Sequence, residues 1–330
     1  MKIIVDAMGG DNAPAAIVKG AIDASNEYDI DLLIVGREEE ILEELKKHNY
    51  KKDRVEVLKA EDVITNEDDP ALAIRRKKDS SMVIGLKALT EGRGDGFVSA
   101  GSTGALLAGG LFIVKRIKGI KRAALTSVYP TTKGLALLVD AGANTDSKPE
   151  YLQQFAVMGS IYMEKVMGVE RPRVGLANVG TEEGKGDELT KKAYDLLKET
   201  NINFIGNIEG RTMAYGEADV IVADGFVGNM ILKVTEGVAM SLFDELKRVF
   251  MENTKSKLGA LLLKPGLKSL KSKIDYREYG GAPLLGTKQP IIKAHGSSND
   301  YAFKNAIRQA INFIEKDVIS TIEENIKEEI

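Results

Sequence analysis

The sequence predicts an α/β fold, a three-layer α/β/α sandwich on a mixed, mostly parallel sheet. Two observations carry this. Short apolar, β-branched runs alternate with helical patterns from the first residues, and these runs are closed by glycine-containing turns that lead into helices. No fixed-period repeat or low-complexity linker breaks the alternation over 330 residues, so one interwoven domain spanning 1–330 is expected.

In chain order, Lys2–Val5 and Leu32–Val35 read as strands, with Ala15–Ser25 and Glu38–Lys47 as helices. Gly96–Ser99, Leu135–Val139, Arg173–Ala177, Phe204–Ile205, Val220–Val222 and Pro290–Lys293 read as further strands. Helical periodicity follows over Ala105–Val114, Leu189–Glu199, from Met230 onward, and over Tyr301–Ile314. One region departs from this rhythm. Between Thr254 and Arg277 stand seven basic residues, among them Lys264, Lys268 and Lys271, against the single acid Asp275, a net of +6. Leu258, Leu261 and Leu262 share one helical face, Leu267, Leu270 and Ile274 another, and Pro265-Gly266 is expected to divide the two. A basic amphipathic hairpin at about 250–280 suits an acidic partner or a membrane surface. The plainer reading is a helical pair packing its leucines on the body or on a sister subunit.

Composition excludes several chemistries. There is no cysteine, which removes thiol nucleophiles, thiolate metal sites and disulfides. Two histidines, His48 and His295, are too few for a multi-histidine metal centre, and neither a metal nor a cofactor is expected. A net charge of −3 argues against general nucleic-acid binding. The N-terminus enters a strand without a signal-peptide pattern, and no uncharged run approaches the roughly 18–20 apolar residues of a spanning helix.

The candidate chemistry lies in the strand-end turns. Asn178-Val-Gly-Thr-Glu-Glu-Gly-Lys-Gly-Asp187 follows an apolar run and precedes a helix. Gly180, Gly184 and Gly186 let backbone approach a ligand, Thr181 adds a hydroxyl and Lys185 a positive charge, which suits phosphate. Asp6-Ala-Met-Gly9-Gly-Asp11 ends the first strand, where ligands of open α/β sheets bind, although Asp11 also fits a helix cap. Ser99-Ala-Gly-Ser102-Thr103-Gly opens a helix and fits either an anion or a capping turn. Asp140-Ala-Gly-Ala-Asn144 and Asp224-Gly225-Phe-Val-Gly-Asn229 repeat the arrangement. His295, with Ser297 and Ser298 beside it, sits between a strand and a helix and suits acid–base or ligand-orienting work. His48 stands among lysines and reads as a surface residue.

Together these segments resemble the PlsX-type phosphate acyltransferases, bacterial enzymes of phospholipid synthesis. The matching stretches are Asp6–Asp11, Ser99–Gly104, Gly142–Asn144, Asn178–Leu189, Gly206–Arg211, Asp224–Asn229, Tyr279–Gly286 and Lys293–Ser298, in the family's order over almost the whole chain. The chain departs from the family at Ser102, where Asn is common, and at Val227, where Thr is common, so no ligand contact is expected from the side chain at 227. The resemblance implies a fold like that of isocitrate and isopropylmalate dehydrogenases, and transfer of a long-chain acyl group from acyl–acyl carrier protein to inorganic phosphate. It also implies a homodimer at the inner face of the cytoplasmic membrane, where its acyl phosphate product would pass to a membrane glycerol-phosphate acyltransferase.

For that reaction the catalytic residues expected are His295, Lys185 and Asn229, with Asn207 as a second oxyanion donor. Gly180, Thr181 and Gly186 would hold phosphate, and Asp6, Gly9, Asp11, Ser102, Thr103, Asn144, Asp224, Gly225, Ser297 and Ser298 would line the substrate. Phosphate is itself a nucleophile, so direct attack is simpler than an acyl-enzyme. A short-chain phosphate acyltransferase or a dehydrogenase on the same fold is the alternative, but the glycine strings do not follow G-x-G-x-x-G. A non-catalytic carrier-protein or membrane module is the remaining reading.

Overall fold

The computed structural model describes residues 1–274 and 278–329. Eleven strands form one sheet in the order β3-β2-β1-β4-β11-β10-β5-β6-β9-β7-β8. They are β1 (Lys2–Asp6), β2 (Asp31–Gly36), β3 (Val55–Lys59), β4 (Gly96–Ser99), β5 (Ala124–Thr131) and β6 (Gly134–Val139), then β7 (Arg173–Asn178), β8 (Asn203–Glu209), β9 (Val220–Val222), β10 (Gly281–Leu285) and β11 (Ile291–Ala294). β3, β2, β1, β4 and β11 form one parallel block, and β6, β9, β7 and β8 another. Antiparallel pairing of β10 with β11, of β10 with β5 and of β5 with β6 joins the blocks, so their carboxyl ends face opposite edges of the sheet.

Both faces of the sheet are covered, as near-continuous apolar strands require. Period-two alternation sends Ile3 and Val5 of β1 to one core and Ile4 to the other; Leu32 and Ile34 of β2 part from Leu33 and Val35 in the same way. Each such fully buried side chain contributes about 1.5–3 kcal/mol of transfer free energy. Helices α1 (Ala15–Tyr28), α6 (Pro149–Lys165), α7 (Glu188–Glu199), α11 (Asp300–Glu315) and α12 (Val318–Glu329) cover the first face. On the other lie α3 (Pro70–Arg76), α4 (Ser81–Thr90) and α5 (Thr103–Gly109), with α8 (Gly210–Met213) and the start of α9 (Gly225–Met251) over the second block. α2 (Glu38–Leu45) packs by β2 and β3.

The strands expected from the sequence are present; β3, β5 and β10 are additional. β5 carries Pro130 and a polar Thr126-Ser127 pair, and β10 begins Gly-Ala-Pro, compositions that read as loop. Pro283 fits because its carbonyl still bonds, accepting from Thr126 Oγ1 at 3.0 Å.

The basic hairpin differs from expectation. Its arms are α9 and α10 (Thr254–Ile274), and the break falls at Glu252–Asn253, where the Asn253 side chain caps Ser256 N–H at 3.0 Å. Pro265 lies inside α10 and does not end it. Leu258, Leu261 and Leu262 are 61–76% exposed, so in the single chain they do not pack on the body; Lys264 and Lys268 are exposed beside them. The side chains of Lys271, Lys273 and Ile274 lie outside the described residues, as do Asp275 and Arg277. α9 is likewise bare, with Met230, Val234, Val238, Met240 and Leu242 exposed. By length and composition it could cross a bilayer. However, Lys233 and Glu236 interrupt its apolar run, and both line the site described next.

Candidate active site

A cleft of about 410 Å³ opens on the seam between the two blocks. Its floor is Leu125–Val128 of β5 and Gly281-Ala282 of β10; its walls are the turns after β4, β6 and β11, and the first turns of α9. Thr103, Gly142, Asn229 and His295 thus meet around one volume. The turn after β1 joins them from behind. The Asp11 N–H donates to Gly296 O at 2.8 Å, and Gly10 at φ +100° sits where a side chain would strike Ala100.

α9 is seated by backbone contact. A Cβ on Gly228 would lie 1.8 Å from Asp140 O, and Gly225 N–H donates to Asn144 O at 2.7 Å. The Asp140 carboxylate organises that turn. Its Oδ1 accepts from the N–H groups of Leu125, Gly142 and Ala143 at 2.9–3.1 Å, and its Oδ2 from Asn144 N at 2.6 Å and Asn144 Nδ2 at 2.8 Å. Burial pushes the Asp140 carboxyl up, and these bonds pull it back.

His295 is half-buried, and burial lowers its pKa, so the ring is neutral near pH 7. Ser297 N–H donates to Nδ1 at 3.2 Å and Ser297 Oγ lies 2.9 Å from it. An Nδ1 that accepts a backbone N–H leaves the proton on Nε2, the donor that the ring can offer the cleft. Ser297 therefore orients the imidazole. Buried Ser298 donates its N–H to His295 O at 3.0 Å and closes the same turn.

The amides divide sharply. Asn229 is exposed to the cleft, and its side chain makes no hydrogen bond among the described residues. Asn144 is spent on Asp140 and on Ala123 O at 2.8 Å. Asn207, expected as an oxyanion donor, has both ends engaged: Oδ1 accepts from Asn178 at 3.1 Å and Nδ2 donates to Glu182 O at 2.8 Å. It holds a loop instead. Ser102 and Asp224 serve as helix N-caps, Ser102 accepting from Ala105 N–H and Asp224 from Phe226 and Val227 N–H. Asp6 is fully buried, takes Ser99 Oγ at 2.6 Å and has its pKa raised by burial; Gly9 packs on Gly101 N.

The glycine loop lies elsewhere. Gly186 and Asn178 line a second hollow of about 570 Å³ with Asp224, Val227 and Ile231, across α9 from the first cleft. Neither Lys185 nor Gly180, Thr181 or Gly186 lines the cleft that holds His295 and Asn229. The sheet order accounts for this separation: β6 and β9 lie next to the seam and their turns reach the first cleft, whereas β7 lies beyond β9 and its loop stands farther out. Lys293, Lys233 and Glu236 were not singled out from sequence, yet all three line the first cleft. Lys293 had a readable signal: a cation at the end of an apolar strand, just before His295.

A family model described as fatty acid synthesis protein matches residues 1–321. A phosphate acyltransferase of Alkaliphilus oremlandii is 56% identical over 326 residues, covering 99% of this chain and 97% of that relative. The chain belongs to this family. It is an acyltransferase of the PlsX type, as the strand-end motifs imply. Among solved structures, a phosphotransacetylase from Streptococcus pyogenes superposes with a TM-score of 0.64 at 18% identity, over 96% of this chain and 94% of its own. A 4-hydroxythreonine-4-phosphate dehydrogenase from Klebsiella pneumoniae superposes at 0.51 with 13% identity, over 95% and 98%. Both show the fold, which is the dehydrogenase-like α/β/α architecture.

Proposed function

We propose that this phosphate acyltransferase moves a long-chain acyl group from acyl–acyl carrier protein to inorganic phosphate, giving acyl phosphate and the free carrier thiol. The observation that carries the proposal is the seam cleft, where His295, the uncommitted Asn229 amide, Lys233 and Lys293 surround one volume. Phosphate attacks the thioester carbon, the C–S bond breaks, and the departing thiolate takes a proton. The protein's task is to hold an anion against the carbonyl and to donate hydrogen bonds to the developing oxyanion. Asn229 Nδ2 and His295 Nε2–H are the donors to the oxyanion; the proton for the thiolate comes from the hydrogen phosphate, which loses it as the acyl phosphate forms. With no cysteine in the chain, a thioester acyl-enzyme has no nucleophile. Lys185 lines neither this cleft nor the second hollow, where its neighbour Gly186 stands, and takes no part in the proposed step.

The exposed apolar arm of α9 and α10 supports peripheral membrane contact on the cytoplasmic face, with Leu258, Leu261 and Leu262 entering the interface and Lys264 and Lys268 facing acidic headgroups or the acidic carrier. A homodimer and hand-over of product to a membrane glycerol-phosphate acyltransferase belong to the same proposal. The test compares purified protein on palmitoyl–acyl carrier protein and on acetyl-coenzyme A, each with phosphate. Preference for the first supports the reading; preference for the second assigns a short-chain enzyme.

A further inference from the structure

We propose that Lys293 is the cation that pairs with the phosphate oxyanion in the seam cleft, the substrate supplying the negative charge that the folded chain does not give it. This rests on the phosphate acyltransferase reading and names a residue for it. Lys293 is only 8% exposed, yet it lines the cleft beside Gly101 and His295. Its Nζ donates to the carbonyls of Ala100, at 3.4 Å, and Ala294. It forms no ion pair among the described residues. Buried charges are ordinarily paired, so this ammonium is an exception that calls for a counter-ion.

The nearby acids are otherwise placed. Lys293, Ser99 and Asp6 occupy one row across β11, β4 and β1, and Ser99 Oγ stands between, donating to Asp6. Asp11 lies at the exposed rim, and Glu236 is held by Lys233 at 3.3 Å. His295 is neutral. What remains open to Lys293 is the cleft itself. Burial pushes its pKa down to about 8, with Asp11 and Asp6 opposing and Lys233 assisting the shift. A phosphate dianion bound at this point restores the ammonium form, so binding draws a proton from solution.

Calorimetry of inorganic phosphate binding in buffers of different ionisation enthalpy reads this directly. At pH 8 the wild-type protein is expected to take up roughly half a proton per phosphate, and Lys293→Met none. The same variant should raise the phosphate KM about 10- to 100-fold while leaving the acyl-donor KM within about twofold, the cost of one charged hydrogen bond. Lys293→Arg should keep phosphate affinity near wild type without proton uptake. If Lys293→Met fails to fold, acetic anhydride labelling of the wild type at pH 8 decides: Lys293 should react and be protected by phosphate. Unaltered phosphate binding and proton uptake in Lys293→Met, or labelling without protection, would overturn the assignment. A wild-type enzyme whose thiol release ignores phosphate would instead overturn the functional reading beneath it.

Discussion

Replacing Asp140 by Asn keeps size and shape but removes one acceptor oxygen, and the structure sets the cost. If the amide oxygen faces the three donors at Oδ1, the new NH₂ group is left against Asn144 N–H and Asn144 Nδ2, now at 2.6 and 2.8 Å from an acceptor. Two hydrogen bonds to a charged group are lost, about 3–6 kcal/mol in all. Relief from burying that charge lowers the net toward about 3 kcal/mol. For 330 residues the unfolding entropy is about 0.7 kcal/mol/K, so the midpoint should fall by about 4 °C. Activity should suffer more than stability, because Asn144 O holds Gly225 N–H and hence the start of α9 with Asn229. Scanning calorimetry and carrier-thiol release measure the two. An Asp140→Asn protein with an unmoved midpoint and full activity would refute the view that this carboxylate builds the site.

Two further outcomes follow from the same geometry. The His295 pKa is depressed by burial, so the neutral ring contributes stability and activity above its ordinary value of about 6.5, and both are lost as pH falls through the lower folded value. His295→Asn should lower kcat and remove that acid limb from the pH profile; an acid limb that survives the substitution assigns it to another group. Leu261→Glu with Leu262→Glu should reduce binding to anionic vesicles severalfold with the midpoint unchanged, since both side chains are exposed; undiminished flotation with vesicles would return the leucines to protein packing.

Much of the fold was legible because parallel strands buried on both faces, such as Ile3–Val5 and Leu32–Val35, write themselves as apolar runs closed by glycine. The seam was not. β10 and β5 carry glycine, proline and hydroxyl residues, and their pairing depends on contacts 157 residues apart, such as Thr126 with Pro283. Missing the seam hid which strands flank it, and with that the separation of the Gly180–Gly186 loop, two strands outward of β6, from His295. Individual caps were ambiguous for a local reason: Ser102 and Asp224 satisfy helix N–H groups with the same atoms that would meet a ligand. Asn229 stood apart from Asn144 and Asn207 only once their partners were known.

The most direct test of the central claim is a single turnover with palmitoyl–acyl carrier protein, first without phosphate and then with it. Direct attack at the seam cleft predicts no thiol release and no acylated protein until phosphate is added, then stoichiometric acyl phosphate. Thiol release or acyl-protein before phosphate would contradict it.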